Sequence, residues 1–297
     1  MAVSFKSVMV PLSACILART SSRPLTPAKY CIFRPLLLLM MSVRPFSVHL
    51  IPVLSDNYVF VLRDEVSHIT FCVDPAVGPP VADFLTKKGW TLDHILLTHH
   101  HSDHIGGVDF LRSKYQPTVY AGEHDRQRIP ADRYLKDEEK IFLSPFAIQI
   151  LFLPGHTLGH IAYYFKTEEI LFCGDVLFSL GCGRLFEGTP GQMLQSLQRI
   201  KLMPEQTKIY CTHEYSQRNA QFALALEPKN KALIARFAEI NRLRSINNPT
   251  IPTTLKSELE CNPFLRAHSL EIHNNIEKKD ATDLEVFTEL RSRRNIF

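Results

Sequence analysis

The sequence predicts an α/β protein: a layered α/β sandwich followed by an all-helical C-terminal region. Two observations carry this. Short apolar runs of strand length recur from Ser47 to Thr212, with helices interspersed on a βαββ-type rhythm, and such alternation implies stacked sheet and helix layers. After His213 the period changes to helical stripes. A third observation bears on chemistry, because four of the strands end in a histidine or an aspartate.

Residues 1–41 stand apart. They are basic, Ser- and Pro-bearing and free of acids, and they end in Leu36-Leu37-Leu38-Leu39-Met40-Met41. That apolar run is far short of the roughly 20 residues of a bilayer span. The segment reads as a leader, either an organelle transit peptide or a stretch upstream of a true start at Met40 or Met41. From Ser47 on, residues 48–51, 58–62 and 69–73 read as successive strands, with Asp56-Asn57 as the turn between the first two. Asp74-Pro75 ends the third strand. A helix over about 79–88 turns Val81, Phe84 and Leu85 inward and closes at Gly89. The strand 94–98 then runs into a His-rich loop and a helix to about Lys114. Residues 118–120 read as strand, 122–140 as loop, and 146–153, 161–165 and 169–173 as strands. Thr189-Pro190 starts a helix with Met193, Leu194, Leu197 and Ile200 on one face. The last strand is 208–212. Helices follow over 216–226 and 229–244, then a short one beyond the Pro-rich loop at Asn247–Pro252, and one over about 281–293.

Composition bounds the function. With 45% hydrophobic and 22% charged residues, the 297-residue chain is globular in type. Its formal charge of +4 comes from the leader, which holds five basic residues and no acid; the remainder carries 29 basic against 30 acidic residues, a net charge of −1. A nuclease should bring a basic surface, so nucleic acid is not expected as a partner; nor is a membrane, and a monomer is expected. The seven cysteines are scattered and odd in number, which suits reduced thiols and a cytoplasmic location. The alternative is an organelle matrix, if residues 1–41 are a transit peptide.

The chemistry centres on Thr98-His99-His100-His101-Ser102-Asp103-His104. His99 and His101 can face one way, and Asp103 and His104, on the next turn, another. Such a layout suits two metal ions better than one. Three further strands end in His156, Asp175 and His213. Five imidazoles and two carboxylates are the donors of zinc, iron and manganese sites, and two divalent ions would use all seven. Zinc is the first choice, with iron or manganese fitting the same donors. Asp175, able to use both oxygens, is the natural bridge. Paired ions hold a hydroxide between them and polarise a bound carbonyl, so no Ser or Cys nucleophile is needed. His100 and His160 are left as supporting residues.

Thr98-His99-x-His101-x-Asp103-His104, Pro154-Gly155-His156-Thr157, Gly174-Asp175 and Thr212-His213 resemble the metallo-β-lactamase superfamily in order and spacing. More narrowly, Phe172–Phe178, Gly181–Thr189, His213-Glu214-Tyr215, Asn262–Arg266 and Arg291–Phe297 are similar to the glyoxalase II, or hydroxyacylglutathione hydrolase, family. The resemblance implies an αββα metallo-β-lactamase-like sandwich at 42–213, after the leader at 1–41, and a helical substrate-binding domain at 214–297. By matching position, His99, His101 and His156 would hold one metal ion, Asp103, His104 and His213 the other, and Asp175 would bridge them. Asp175, Asp103 and His104 would count as catalytic too. The family's glutathione contacts would fall on Arg184, Phe186, Tyr215, Arg291 and Arg294. Some family members have Lys-Phe-Tyr where this chain has Arg184-Leu185-Phe186, so a hydroxyl is absent here. The implied reaction is hydrolysis of the thioester S-D-lactoylglutathione to glutathione and D-lactate, in methylglyoxal detoxification, by attack of a metal-bridging hydroxide. The alternative is another dinuclear hydrolase on the same scaffold, such as a lactonase.

Overall fold

Two six-stranded sheets stack face to face. The structure, a computed structural model, describes residues 46–297, and the leader expected over 1–41 lies outside the described residues. The first sheet runs in order β1 (Phe46–Val53), β2 (Asn57–Asp64), β3 (Thr70–Val73), β4 (His94–Leu96), β5 (Thr118–Gly122) and β6 (Arg133–Leu135). The β1–β2 and β2–β3 pairs are antiparallel, and β3 through β6 are parallel. The parallel part needs crossovers, which α1 (Gly78–Lys88) and the pair α2 (Ser102–Ile105) and α3 (Val108–Tyr115) supply. The second sheet contains β7 (Lys140–Leu143), β8 (Phe146–Phe152), β9 (Ile161–Phe165), β10 (Ile170–Gly174), β13 (Lys208–Cys211) and β14 (Thr253–Thr254), in the order 14-13-10-9-8-7. A two-stranded ribbon, β11 (Leu177–Phe178) and β12 (Gly181–Cys182), lies between β10 and the next helix in sequence.

The period of two in β2 sorts its side chains between two cores. Phe60 and Leu62 join Phe71, Phe146, Phe165 and Phe172 between the sheets, where Phe60 meets the Phe172 ring at 5.4 Å. Val59 and Val61 join Cys72, Ile95, Leu97, Val81, Leu85 and Leu111 beneath α1 and α3. Both faces are therefore covered, and β2 reads as a continuous apolar run because every residue in it is buried. Each large side chain so buried contributes roughly 1.5–3 kcal/mol.

The helix expected after Thr189-Pro190 is α4 (Pro190–Lys201). Thr189 accepts from the Gln192 N–H while Gln192 caps back, and Met193, Leu197 and Ile200 are buried. Beyond His213 come α5 (Ser216–Leu226), α6 (Lys231–Ser245), α7 (Leu255–Cys261), α8 (Leu270–Asn275) and α9 (Asp283–Ile296). The helical region also lends the two-residue β14 to the second sheet. Residues 122–140, expected as loop, carry a 3₁₀ turn at Glu123–Asp125, the edge strand β6 and the start of β7. A three-residue strand is too short to show a period; pairing with β5 makes β6 a strand, with Ala121 opposite Tyr134.

Candidate metal centre

Strand ends from both sheets meet at one edge of the sandwich. The Tyr58 N–H donates to Thr212 O at 2.7 Å, and the Ile161 N–H to Thr98 O at 2.9 Å, so the start of β2 is tied to the end of β13 and the start of β9 to the end of β4. His99 and His101 follow β4, and His101 is the residue before α2, which carries Asp103 and His104. In β10 the pairing with β13 slips between Phe172 and Gly174. Such a bulge re-aims the chain, and Gly174, at φ +49°, turns Asp175 into the centre. A Cβ on Gly174 would stand 2.5 Å from Thr98 Oγ1 and 2.7 Å from His160 Nε2, so no other residue fits there.

All seven expected ligands come together. His99 Nε2 and His156 Nε2 each lie 3.1 Å from His101 Nδ1. Asp175 faces both halves: Oδ1 is 3.5 Å from His104 Nε2, and Oδ2 is 3.4 Å from both His156 Nε2 and His213 Nε2. Asp103 Oδ2 stands 3.5 Å from His213 Nε2. Within each of the groups His99–His101–His156, His99–His104–Asp175 and Asp103–His104–His213, one donor atom per residue lies within 4.8 Å of the others.

The outer nitrogens of four rings are held by groups that can only accept, or have only acceptance left. His104 Nδ1 donates to Asp74 Oδ2 at 2.9 Å, His213 Nδ1 to Asp56 Oδ1 at 2.7 Å, and His156 Nδ1 to Arg184 O at 2.7 Å. The Thr98 hydroxyl gives its proton to Asp74 Oδ2 at 2.6 Å, so it accepts from His99 Nδ1 at 3.0 Å. In the neutral rings of His99, His104, His156 and His213 the proton thus sits on Nδ1, and Nε2 is the nitrogen that faces inward. His160 Nε2 accepts the Asp175 N–H at 3.1 Å, which orients the bridging candidate. Asn57 Nδ2 donates to Asp103 Oδ2 at 3.1 Å.

Burial lowers the proton affinity of His99 and His156, and burial with the neighbouring His156 brings His101 down to about 4. Burial opposes a proton on His213 too, but Asp175 and Asp56 outweigh it and push the ring up to about 9. Asp175, although buried, is held far below the ordinary carboxylate range by His213, His104 and His156. The donor set fits metal ions on a further count: His104 Nε2 and Asp175 Oδ1 are buried and have no hydrogen-bond partner. Buried polar atoms are rarely left so, and a cation between them would satisfy both.

The five expected substrate contacts line one cavity of about 350 Å³ together with His156 and Asp175. Tyr215 stacks flat on His213 with ring centroids 4.8 Å apart. Phe186, 61% exposed, sets its ring edge-on to His101 and His156 at 5.5 and 5.3 Å. Arg291 is buried and spends Nη1 on Cys182 O at 2.7 Å. Arg294 rests on Asn219 Oδ1 through Nε and Nη2, and burial beside Arg291 lowers its proton affinity to about 10. Cys182, Arg218 and Asn219 also line the cavity, and sequence reasoning missed them. It missed Asp56 and Asp74 as well, reading one as a turn residue and the other as a strand terminator. Neither carries a spacing signal to the histidine it holds.

Comparison with known proteins agrees with this arrangement. The family profile described as Metallo-beta-lactamase superfamily matches residues 58–213, and that described as Hydroxyacylglutathione hydrolase C-terminus matches residues 214–297. A hydroxyacylglutathione hydrolase of Methylococcus capsulatus is 47% identical over 83% of this chain and 97% of its own length. One of Rhodospirillum rubrum is 41% identical over 84% of this chain and 98% of its own. Among solved structures, the B3 metallo-β-lactamase BLEG-1 superposes with a TM-score of 0.58 at 26% identity, over 74% of this chain and 99% of that one.

Proposed function

The chain belongs to the hydroxyacylglutathione hydrolase family of the metallo-β-lactamase superfamily, and from that premise we propose that it hydrolyses S-D-lactoylglutathione to glutathione and D-lactate. The observation that carries the reading is the seven-residue donor cluster opening into a cavity lined by arginines.

Residues 42–213 form the catalytic domain in this reading, and 214–297 the helical region that closes the substrate cavity. His99, His101 and His156 would hold one ion, and Asp103, His104 and His213 the other, with Asp175 shared between them. Such a pair supplies a nucleophilic hydroxide at neutral pH and polarises the thioester carbonyl. Zinc is the proposed metal, on the strength of the imidazole and carboxylate donors, although iron or manganese suits them too. Asp74 and Asp56 accept from the outer nitrogens of His104 and His213, which leaves the inner nitrogens as the ones a metal ion would take in place of a proton, and Asn57 steadies Asp103.

Arg184, Arg291 and Arg294 bind the substrate's carboxylates, and guanidinium suits carboxylate geometrically. Tyr215 flanks the thioester beside His213, and Phe186 supplies apolar cover. The leaving group is a thiolate whose parent thiol has a pKa of about 8.5, so it departs without a dedicated acid. The proposed state is a monomer, since every residue the proposed site needs comes from one chain. A cytoplasmic location rests on the buried, unpaired Cys72, Cys173, Cys182, Cys211 and Cys261. No helix among the described residues is long and apolar enough to cross a membrane.

The test is a rate survey of the metal-replete protein over acyl-glutathiones, simple lactones and a β-lactam, with elemental analysis of the native protein. Thioester hydrolysis should lead by orders of magnitude. Lactone cleavage without thioester cleavage would overturn the reading in favour of the lactonase alternative.

A further inference from the structure

His100 stands between two expected ligands but points away from them, and the groups that receive it are charged. Its Nδ1 lies 3.3 Å from Asp125 Oδ1 and its Nε2 3.6 Å from Glu187 Oε1. The Arg128 guanidinium lies 3.3 Å from both ring nitrogens and donates to Glu187 Oε1 at 2.6 Å. Asp125 is 1% exposed, and Gly159 packs directly on its carboxylate, leaving no room for a Cβ. The other oxygen of Glu187 reaches a second ligand loop: Oε2 accepts the Leu158 N–H at 2.7 Å, two residues past His156. The backbone around Glu187 is fastened to the same loop, with Phe186 N–H donating to His156 O at 3.2 Å and Gly188 N–H to Gly155 O at 3.1 Å.

We propose that Glu187 is the positioning residue of the three-histidine half of the centre, holding the His99–His101 loop through Arg128 and His100 and the His156 loop through Leu158. The inference rests on the reading of His99, His101 and His156 as ligands. Three imidazole nitrogens crowded to 3.1 Å repel one another's lone pairs unless a proton or a metal ion lies between them, and one proton on His101 Nδ1 cannot serve both contacts fully. Something must hold the loops against that repulsion while the ion is acquired. Glu187 has the reach to do so from outside, because one carboxylate engages both loops. Its Arg128 contact is charge-assisted and short, the stronger kind of hydrogen bond. Asp103 and His213 are braced from a different element, the turn whose consecutive residues Asn57 and Asp56 hold them, and Glu187 touches neither. The effect should therefore fall on one ion only.

The experiment is a stepwise metal titration against a competing chelator, read as ions bound per chain and as the visible spectrum of the cobalt-substituted protein. His156→Ala and Asp103→Asn mark the two sites. Glu187→Gln should weaken the ion marked by His156 about 10–100-fold, the usual scale for outer partners of ligands, and leave the other within twofold. Arg128→Ala should act the same way, and Arg128→Lys should recover most of the loss. Wild-type affinities and spectrum in Glu187→Gln and Arg128→Ala, or equal weakening of both ions, would overturn the proposal. If Glu187→Gln does not fold, Arg128→Ala, at a half-exposed position, decides by the same outcomes. Wild-type protein that binds fewer than two ions would overturn the ligand reading together with the inference. Two ions in wild type with unchanged variants would overturn the inference alone.

Discussion

At the scale of single residues, the centre depends on backbone that only particular side chains tolerate. Gly174 is the clearest case, at φ +49° with Thr98 and His160 against the place of its absent Cβ. Gly174→Ala should cost at least about 1–2 kcal/mol from the left-handed conformation alone, more with the contacts, and should displace Asp175. A thermal melt and a metal count, both lowered, check this. Asp74 also sits in the left-handed region, at φ 49°, where it receives the Thr98 N–H and hydroxyl and His104 Nδ1. The seven candidate ligands were legible in the sequence, because His99, His156, Asp175 and His213 each end an apolar strand and His101, Asp103 and His104 crowd the loop that follows the first of them. Their partners were not. Asp56 and Asp74 reach His213 and His104 across 157 and 30 residues of chain, and aspartate in a turn looks the same whether or not a histidine lies behind it.

At the scale of elements, strong periods were legible and short pairings were not. Thr189-Pro190 announced α4 because its cap is local. The strands β6, β11, β12 and β14, of two or three residues each, exist only through their partners. The last helix matters most for function, since α9 carries Arg291 and Arg294. Thr282 caps it by accepting the Glu285 N–H, and Glu285 receives the Thr282 N–H in return. Thr282→Ala should cost about 1 kcal/mol, measured by denaturant unfolding. The Thr282 hydrogen bonds hold the Glu285 carboxyl below its ordinary value. A depressed carboxylate stabilises the fold above its unfolded pKa, near 4.3, and loses that contribution as pH falls through the lower folded value. The advantage of wild type over Glu285→Gln should therefore be present at pH 7 and fade below about pH 4. An advantage that grew on acidification would contradict the assignment.

At the scale of the whole molecule, a body with net charge −1 concentrates positive charge where it is used. Arg184, Arg218, Arg291 and Arg294 surround one cavity, and their ring of guanidinium groups faces Asp175 as the one carboxylate in the lining. Encounter with a substrate bearing two carboxylates should depend on this field. Raising the ionic strength, which shortens the screening length from about 10 Å at 0.1 M to about 3 Å at 1 M, should lower kcat/KM. Arg218→Ala should raise KM with kcat unchanged. Steady-state kinetics at several salt concentrations check both. The layered fold was legible as a whole because its two cores take alternate residues of the same strands. The cavity was legible only in part, since Arg218 and Asn219, three and four residues past Tyr215, look like ordinary polar positions of α5 until Arg294 of α9 rests on Asn219 and both join one wall.

We propose that seven strand-end and loop residues make one two-ion centre for thioester hydrolysis. Metal-stripped protein titrated with zinc, and assayed at each step for S-D-lactoylglutathione hydrolysis, tests it most directly. Activity should plateau at two ions per chain, and Asp175→Asn should abolish it. A plateau at one ion, or full activity in the stripped protein, would contradict the proposal.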